Sequence, residues 1–397
     1  MRVLVIGGGR WQLPICEFLV SRNHELVIVD PNPDAVCIRF AETMIQCDIR
    51  EIDMILHHVA SMREKPSLVL TDQSDLAIET ASYLSDHLGL PGIEPQICEI
   101  FRNKFRFRNF LESEFGVKYP RYCQVSESSN MDTVIAELGL PFVVKPADSQ
   151  SSRGFSTITS PDDDFEQIIR KSLKHTRLGY VLAEQFIQGT EVTIEGICLG
   201  GHHQVLTSSS KLHFRPGIAC RLDFPARISD KHLQKLVAFH NHLIERTGLK
   251  IGLTHSEYLI DLITGDFAPV EIACRGGGNL ISSDIVPWVS GLDTYGTLLD
   301  AQLGNVTGIK PINLTRCATL QFFEFRNGIV PQLPDFTRLS GAPSKVISEF
   351  NVQPGQTVSP ATDDRSRHGF AISLSETFED LETTQRQINS IFAQYLA

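Results

Sequence analysis

No run of apolar residues in this 397-residue chain approaches the roughly 18 to 20 that a membrane-spanning helix needs, so no membrane association is expected. The first residues, MRVLVIGGG, read as a buried strand running into a glycine turn. They lack the charged start, long apolar stretch and small-residue cleavage site of a signal peptide, and the cytoplasm is the expected compartment. Nine cysteines (Cys16, Cys37, Cys47, Cys98, Cys123, Cys198, Cys220, Cys274, Cys317) stand singly, with no C-x-x-C and no zinc-ligand spacing. Reduced, mostly buried thiols are expected. Basic residues fall short of acidic ones, 36 against 47, for a net charge of −11. That balance argues against a nucleic-acid partner, which would want a basic face. Internal repeats and low-complexity stretches are lacking too.

What is present is enough chain for two or three domains, with 42% hydrophobic and 21% charged residues, ordinary for globular proteins. Over residues 1–95, the runs RVLVIGG, HELVIVD and SLVLTD alternate with helical stretches, as in a parallel sheet covered on both faces. GLPGIEP marks a boundary. One helix is expected at about 97–114. The chain then becomes strand-rich, with the α+β pattern of antiparallel sheets, a helix at about 230–247, a hairpin at 254–273, a helix at about 291–303, and a strand and helix segment from about 316.

Gly7-Gly8-Gly9 after the first strand tests for a dinucleotide fingerprint and fails, because Gln12 stands where the third glycine belongs, although Asp30 ends the second strand at a suitable distance. A tight strand-to-helix turn is the preferred reading. The histidine pairs at 57–58 and 202–203, and His240 with His242, read as surface or core histidines.

A spaced series carries the chemistry. Lys104 lies in a helix and Lys145 in the strand PFVVKPAD, where burying an ammonium is too costly unless an anion meets it. The loop DSQSSRG follows, with Ser151, Ser152, Arg153 and Gly154 able to close over phosphates. In EQFIQGTEVTIEG, an apolar linker between acceptors suits an adenine ring, and Glu191 could accept from ribose hydroxyls. With a hairpin turn centred near Thr264 and Gly265, Glu257 and Glu271 fall opposite each other on one face. Such a pair is tolerated with a divalent cation between them, and oxygen ligands near phosphates select magnesium. Arg275 is then placed to touch a phosphoryl group, and Gly276 to Gly278 to let backbone pass close to a ligand.

The series Lys104, Lys145, Glu184, Glu191, Glu257, Glu271, Arg275 resembles the ATP-grasp superfamily in order and separation over nearly the whole chain. NKFRFRNFL, VVKPADSQSSRG, EQFIQGTEVTIEG and VEIACRGGG resemble the carboxylate-amine ligase group, bacterial L-amino acid ligases among them. The resemblance implies an α/β and α+β multidomain fold: an N-terminal parallel-sheet pre-ATP-grasp domain at 1–95, an ATP-grasp domain at 96–310 with a lid subdomain at about 115–190, and a C-terminal α+β region at 311–397 completing the core. ATP would bind between two α+β subdomains. It also implies roles: Lys104 and Lys145 on the ATP phosphates with Ser151, Ser152 and Gly154; Glu184, Gln185, Phe186 and Ile187 around adenine; Glu191 on ribose. Glu257 and Glu271 would carry magnesium, with manganese as the alternative, and Arg275 and Arg153 would be catalytic. Ala273 departs from the pattern, since many members have an asparagine ligand there. Lys211, Arg215 and Arg221, with Gly276 and Gly277, are candidate substrate contacts.

The implied activity joins a small carboxylate to an amine through an acylphosphate, releasing ADP and phosphate, in a protein that could be a homodimer. A bicarbonate-using carboxylase and a non-catalytic nucleotide binder are the alternatives.

Overall fold

Branched apolar runs open the chain and are buried almost end to end: β1 (Arg2–Ile6), β2 (Glu25–Val29) and β4 (Leu68–Leu70). With β3 (Ala41–Ile45) they form a parallel sheet of order β3-β2-β1-β4. Edge strand β3 reads AETMI and is half exposed, so no apolar run announces it. Helices α1 (Leu13–Ser21), α2 (Ile52–Ser61) and α3 (Asp75–Leu88) pack on this sheet, whose two faces feed separate apolar cores. The glycine turn is closed from within: Gly8 N donates to Asp30 Oδ2 at 2.7 Å, so this carboxylate fastens the turn. This computed structural model describes residues 1–310, 312, 314–339 and 343–395. Among them no helix is long and apolar enough to cross a membrane.

The single helix expected at about 97–114 is two. α4 (Pro95–Arg102) ends at Asn103, whose side chain accepts from Phe105 N and Arg106 N and so starts α5 (Lys104–Phe115). A side-chain oxygen satisfying the free amides of a first turn is what lets the chain restart a helix in a new direction.

A four-stranded antiparallel sheet follows, built from β5 (Tyr122–Val125), β6 (Phe142–Lys145), β7 (Ser156–Ile158) and β8 (Val181–Gln185) in the order β5-β8-β6-β7. It carries α6 (Met131–Leu138) and α7 (Phe165–Leu173) over its own small core.

The largest sheet gathers strands from residue 190 to residue 375: β9 (Thr190–Leu199), β10 (His202–Arg215), β11 (Ile218–Phe224), β12 (Ile251–Ile260), β13 (Phe267–Ala273) and β14 (Cys317–Phe323). β16 (Lys345–Phe350) and β18 (Gly369–Ser375) complete it, while the short β15 (Gly328–Ile329) and β17 (Thr357–Val358) pair only with each other. The order is β13-β12-β9-β10-β11-β14-β18-β16, so the segment after 311 supplies three of the eight strands. Residue 311, where a domain boundary is expected, lies outside the described residues. α8 (Asp230–Arg246), α9 (Val286–Ser290), α10 (Thr294–Gln302) and α11 (Phe378–Ala393) pack around this sheet.

Candidate active site

Glu257 on β12 and Glu271 on β13 are register partners. Near the turn the pairs run Tyr258 with Pro269 and Leu259 with Ala268, but the next pair is Glu257 with Glu271, leaving Val270 as an extra residue. This β-bulge sets the two carboxylates opposite each other. It also releases the Val270 carbonyl, which accepts from Arg108 Nη2 at 2.9 Å.

Each carboxylate has its own cation. Lys104 Nζ lies 2.6 Å from Glu271 Oε2 and donates to Ser149 O at 2.8 Å. The helix break explains its position: Lys104 is the first residue of α5, and its amide donates to Ala147 O at 2.8 Å beside the phosphate-loop segment. Lys211 Nζ bridges Glu257, at 2.8 Å, and Glu191. His255, buried, pairs with Glu195 at 2.5 Å and presents Nε2 3.6 Å from Glu257 Oε1. Burial alone would push Glu257 up, but Lys211 and His255 outweigh it and hold the carboxyl well below its ordinary value. Burial would likewise lower His255, yet Glu195 raises it to about 9. Ala273 is the register partner of His255, so an imidazole is the polar group at that end of the face.

Arg275 follows directly and is 8% exposed. Its Nε donates to Asp75 Oδ1 at 2.7 Å, and Asp75 starts α3 in the first sheet's layer. Asp72, also from that layer and fully buried, accepts from Gly276 N at 2.9 Å, Tyr295 Oη at 2.7 Å and the Ser282 hydroxyl. Burial dominates and raises Asp72. The glycine run therefore serves internal packing at its first two positions: a Cβ on Gly276 would meet Ser282 Cβ at 2.2 Å, and one on Gly277 would meet Ile281 and the Glu195 carboxylate at 2.9 and 3.0 Å. Only Gly278 of the three lines the cleft, which corrects the expectation that Gly276 and Gly277 face a substrate.

Lys145 finds its anion inside the protein. Its Nζ lies 2.5 Å from Glu184 Oε2, while Arg108 Nε donates to Glu184 Oε1 at 2.6 Å. Burial lowers Lys145 despite the Glu184 charge, and the two cations outweigh burial at Glu184 and lower it. Glu184 thus sits 3% exposed in an ion trio and not on the cleft lining. Gln185 N donates to Arg121 O and Phe186 N to Pro141 O, tying the linker to its neighbours ahead of Ile187. Arg108 belongs to the α5 stretch read only as helix, and nothing in its local sequence distinguishes it from Arg106.

The loop after β6 is held in an unusual shape. Ser151 and Ser152 both take left-handed backbone, φ 62° and 57°, as does Gly154 at 73°. Consecutive non-glycine residues there are costly and concentrate at functional loops. A Cβ on Gly154 would press Pro146 Cγ at 2.9 Å, so glycine is required. Ser151 and Arg153 line a cleft of about 930 Å³ together with Lys211, Glu257, Glu271 and Arg275.

Arg215 and Arg221 are not among the residues lining this cleft. Arg215 forms a two-pronged pair with Glu324, at 3.0 and 2.6 Å, and Arg221 Nε donates to Asp223 at 2.8 Å. Both expectations of a substrate anchor are corrected on that ground, because their guanidinium groups are already spent on protein carboxylates. Arg365 and Arg367, before β18, do line the cleft and were not foreseen.

The donor set fits magnesium bound through phosphates. Among the described residues no three His, Cys, Asp or Glu side chains form a metal cage of their own. One or two carboxylates suffice for magnesium when phosphate oxygens and waters complete its shell, and this pair supplies them.

Residues 138–284 match the family described as ATP-grasp domain. The chain therefore contains an ATP-grasp domain and has the ATP-grasp fold. It is similar to an uncharacterized protein, y4rH, of Sinorhizobium fredii, 23% identical over 81% of this chain and 67% of that one. It is also similar to a D-alanine–D-alanine ligase of Nitrosospira multiformis, 38% identical over 27% of this chain and 34% of that one, so the chain spans about a third of that relative. Among solved structures it superposes on an L-amino acid ligase from Bacillus licheniformis with a TM-score of 0.81 at 18% identity, covering 98% and 97% of the two chains. An N5-carboxyaminoimidazole ribonucleotide synthetase in complex with ADP gives 0.76 at 18%, covering 99% and 97%.

Proposed function

We propose that this protein is an ATP-dependent ligase that joins the carboxylate of an amino-acid-like substrate to an amine through an acylphosphate. The observation that carries the reading is the opposed pair Glu257 and Glu271, set on one sheet face with Lys104, Lys211 and Arg275 around it, opening into the cleft. Two carboxylates packed that closely need cations, and the lysines supply them when no metal does.

In this reading Glu257 and Glu271 hold magnesium, which when bound neutralises phosphoryl charge. Lys104, Lys145 and the loop residues Ser151, Ser152 and Gly154 meet the phosphates, the linker from Gln185 to Ile187 receives adenine while Glu184 holds Lys145, and Glu191 receives ribose. For the last role Glu191 must exchange Lys211 for ribose hydroxyls. Arg275, oriented by Asp75, stabilises the phosphoryl group as it passes to the substrate carboxylate. The bond from the γ-phosphorus to the bridging oxygen breaks, ADP leaves, and a carboxylate oxygen takes its place on phosphorus. The amine then attacks the acyl carbon, phosphate departs, and the amide remains. Charge neutralisation and positioning supply the rate in such transfers, and a closed lid keeps water from the acylphosphate. The division at 1–95, 96–310 and 311–397, with the lid at about 115–190, belongs to the same proposal.

The test is ADP and phosphate release from magnesium ATP across paired amino acids, other small acids with amines, and bicarbonate. Stimulation by one acid and amine pair supports the reading. Stimulation by bicarbonate alone replaces it with a carboxylase.

A further inference from the structure

The chain is acidic, yet its cleft is not: ten lysine and arginine side chains line it against five carboxylates. Most of those cations are already matched. Arg275 has Asp75, Lys211 has Glu191 and Glu257, and Arg367 has Asp364 at 3.1 Å. Four, namely Arg153, Lys174, Arg177 and Arg365, have no carboxylate within ion-pair distance among the described residues.

Two of these four, both lining the cleft, come from different loops that touch. Arg153 belongs to the strained 149–154 loop and Arg365 to the loop before β18, and those loops are tied together, Asp364 N donating to Ser151 O at 3.3 Å. Arg153 is pushed down first by burial and next by the charge of Arg365, opposed more weakly by Asp363 and Asp148. Bringing two guanidinium groups together at a loop contact costs energy unless an anion sits between them. Leu222, Leu320, Phe322 and Phe370 add an apolar stretch to the lining of the same cleft.

We propose that the acid bound in this cleft carries a second anionic group, a carboxylate or a phosphate, held between Arg153 and Arg365, and that this group latches the 149–154 loop closed. The assignment of that ligand as the substrate rests on the ligase reading; the anion site itself does not. The nucleotide phosphates have Lys104 and Lys145, which leaves the Arg153 and Arg365 pair for the other reactant. An acid with a single carboxylate would spend it at the phosphoryl-transfer site and leave the two arginines repelling.

The first arm of the test is binding. Trypsin cleavage after Arg153 is followed in the full-length protein with magnesium and ADP, adding acetate, succinate or inorganic phosphate at equal ionic strength. Succinate or phosphate slows cleavage at least about 5-fold and acetate does not, as expected if a dianion bridges the two arginines. Arg365→Gln, an exposed position, removes the protection while leaving the rate without anion unchanged. Equal protection by acetate, or full protection in the variant, overturns the proposal.

The second arm is turnover, trapping acylphosphate with hydroxylamine across monoacids, dicarboxylic acids and phosphorylated acids, which tells the two anion sources apart. For the preferred acid, Arg365→Gln raises KM about 10-fold with kcat nearly unchanged, and Arg365→Lys restores part of it. A monoacid used as well as any dianion contradicts the proposal. Protection by succinate or phosphate without ADP formation from any acid keeps the anion site and discards the ligase reading.

Discussion

Glu257 and Glu271 face each other across β12 and β13 because Val270 is bulged out of the register between them. Without that extra residue the pairing seen at Tyr258 and Pro269 would continue as Glu257 with Val270, and Glu271 would point to the other face. Replacing either glutamate with glutamine removes a charge without removing the hairpin. Glu257→Gln and Glu271→Gln are each expected to lower magnesium-dependent ATP turnover at least about 100-fold, as loss of a metal carboxylate does, and to lower the unfolding midpoint as well, since each deprives a lysine of its carboxylate. Phosphate release and a urea titration measure the two quantities; retained turnover would move the metal elsewhere.

The opposition of these glutamates was legible in the sequence because a hairpin turn fixes which residues meet, and a centre at 264 places 257 against 271. The bulge was not legible. The ladder nearest the turn is centred half a residue earlier, and the match is restored only by Val270, a residue that looks like any other strand valine. The parallel sheet was legible from its apolar runs, and edge strand β3 was missed because an exposed strand needs none. Asp72, Asp75 and Arg108 were invisible for a common reason. Each meets its partners across long stretches of chain, Asp75 with Arg275 and Arg108 with Glu184, and no local spacing encodes that.

Asp75 orients Arg275 from a different layer of the molecule. Asp75→Asn keeps the shape and weakens the hold on the guanidinium. It is expected to lower kcat about 10- to 100-fold, the scale of a misplaced group, with KM for ATP within about 3-fold. Asp75→Glu should recover part of the rate. Equal loss in kcat and in stability would reduce Asp75 to a structural role.

Arg108 is 2% exposed and is one of two cations on Glu184. Arg108→Met leaves Lys145 to balance Glu184 but strips the Val270 carbonyl of its donor. A loss of about 3 kcal/mol is expected, the scale of breaking a buried ion pair from one side, read from urea unfolding. A change below about 1 kcal/mol would mean that the trio is not held as described.

The face of β12 and β10 under α8 carries a buried histidine pair. His203 meets Asn241 Oδ1 and Thr254 Oγ1, both at 2.8 Å, and lies with its ring centre 4.8 Å from that of His240. Burial lowers His203 to about 4, and it lowers His240 well below its ordinary value with the His203 charge adding to it. An unfolded histidine takes up a proton below about 6.5, so between there and about 4 the unfolded chain binds more protons than the fold. Stability is therefore full above pH 6.5 and falls as pH drops toward 4, by on the order of 3 kcal/mol for His203 alone. Urea midpoints measured from pH 7.5 to 4.5 test it, and His203→Gln should flatten the slope. An unchanged slope in that variant would assign the acid sensitivity to other groups.

The most direct test of phosphoryl transfer to a carboxylate follows the oxygen atoms. The acid that stimulates ADP release is labelled with oxygen-18 in its carboxylate, and the phosphate formed with the amine is analysed by mass. An acylphosphate route places one labelled oxygen in each phosphate, and Glu271→Gln yields none above background. Unlabelled phosphate, or AMP in place of ADP, would contradict the account.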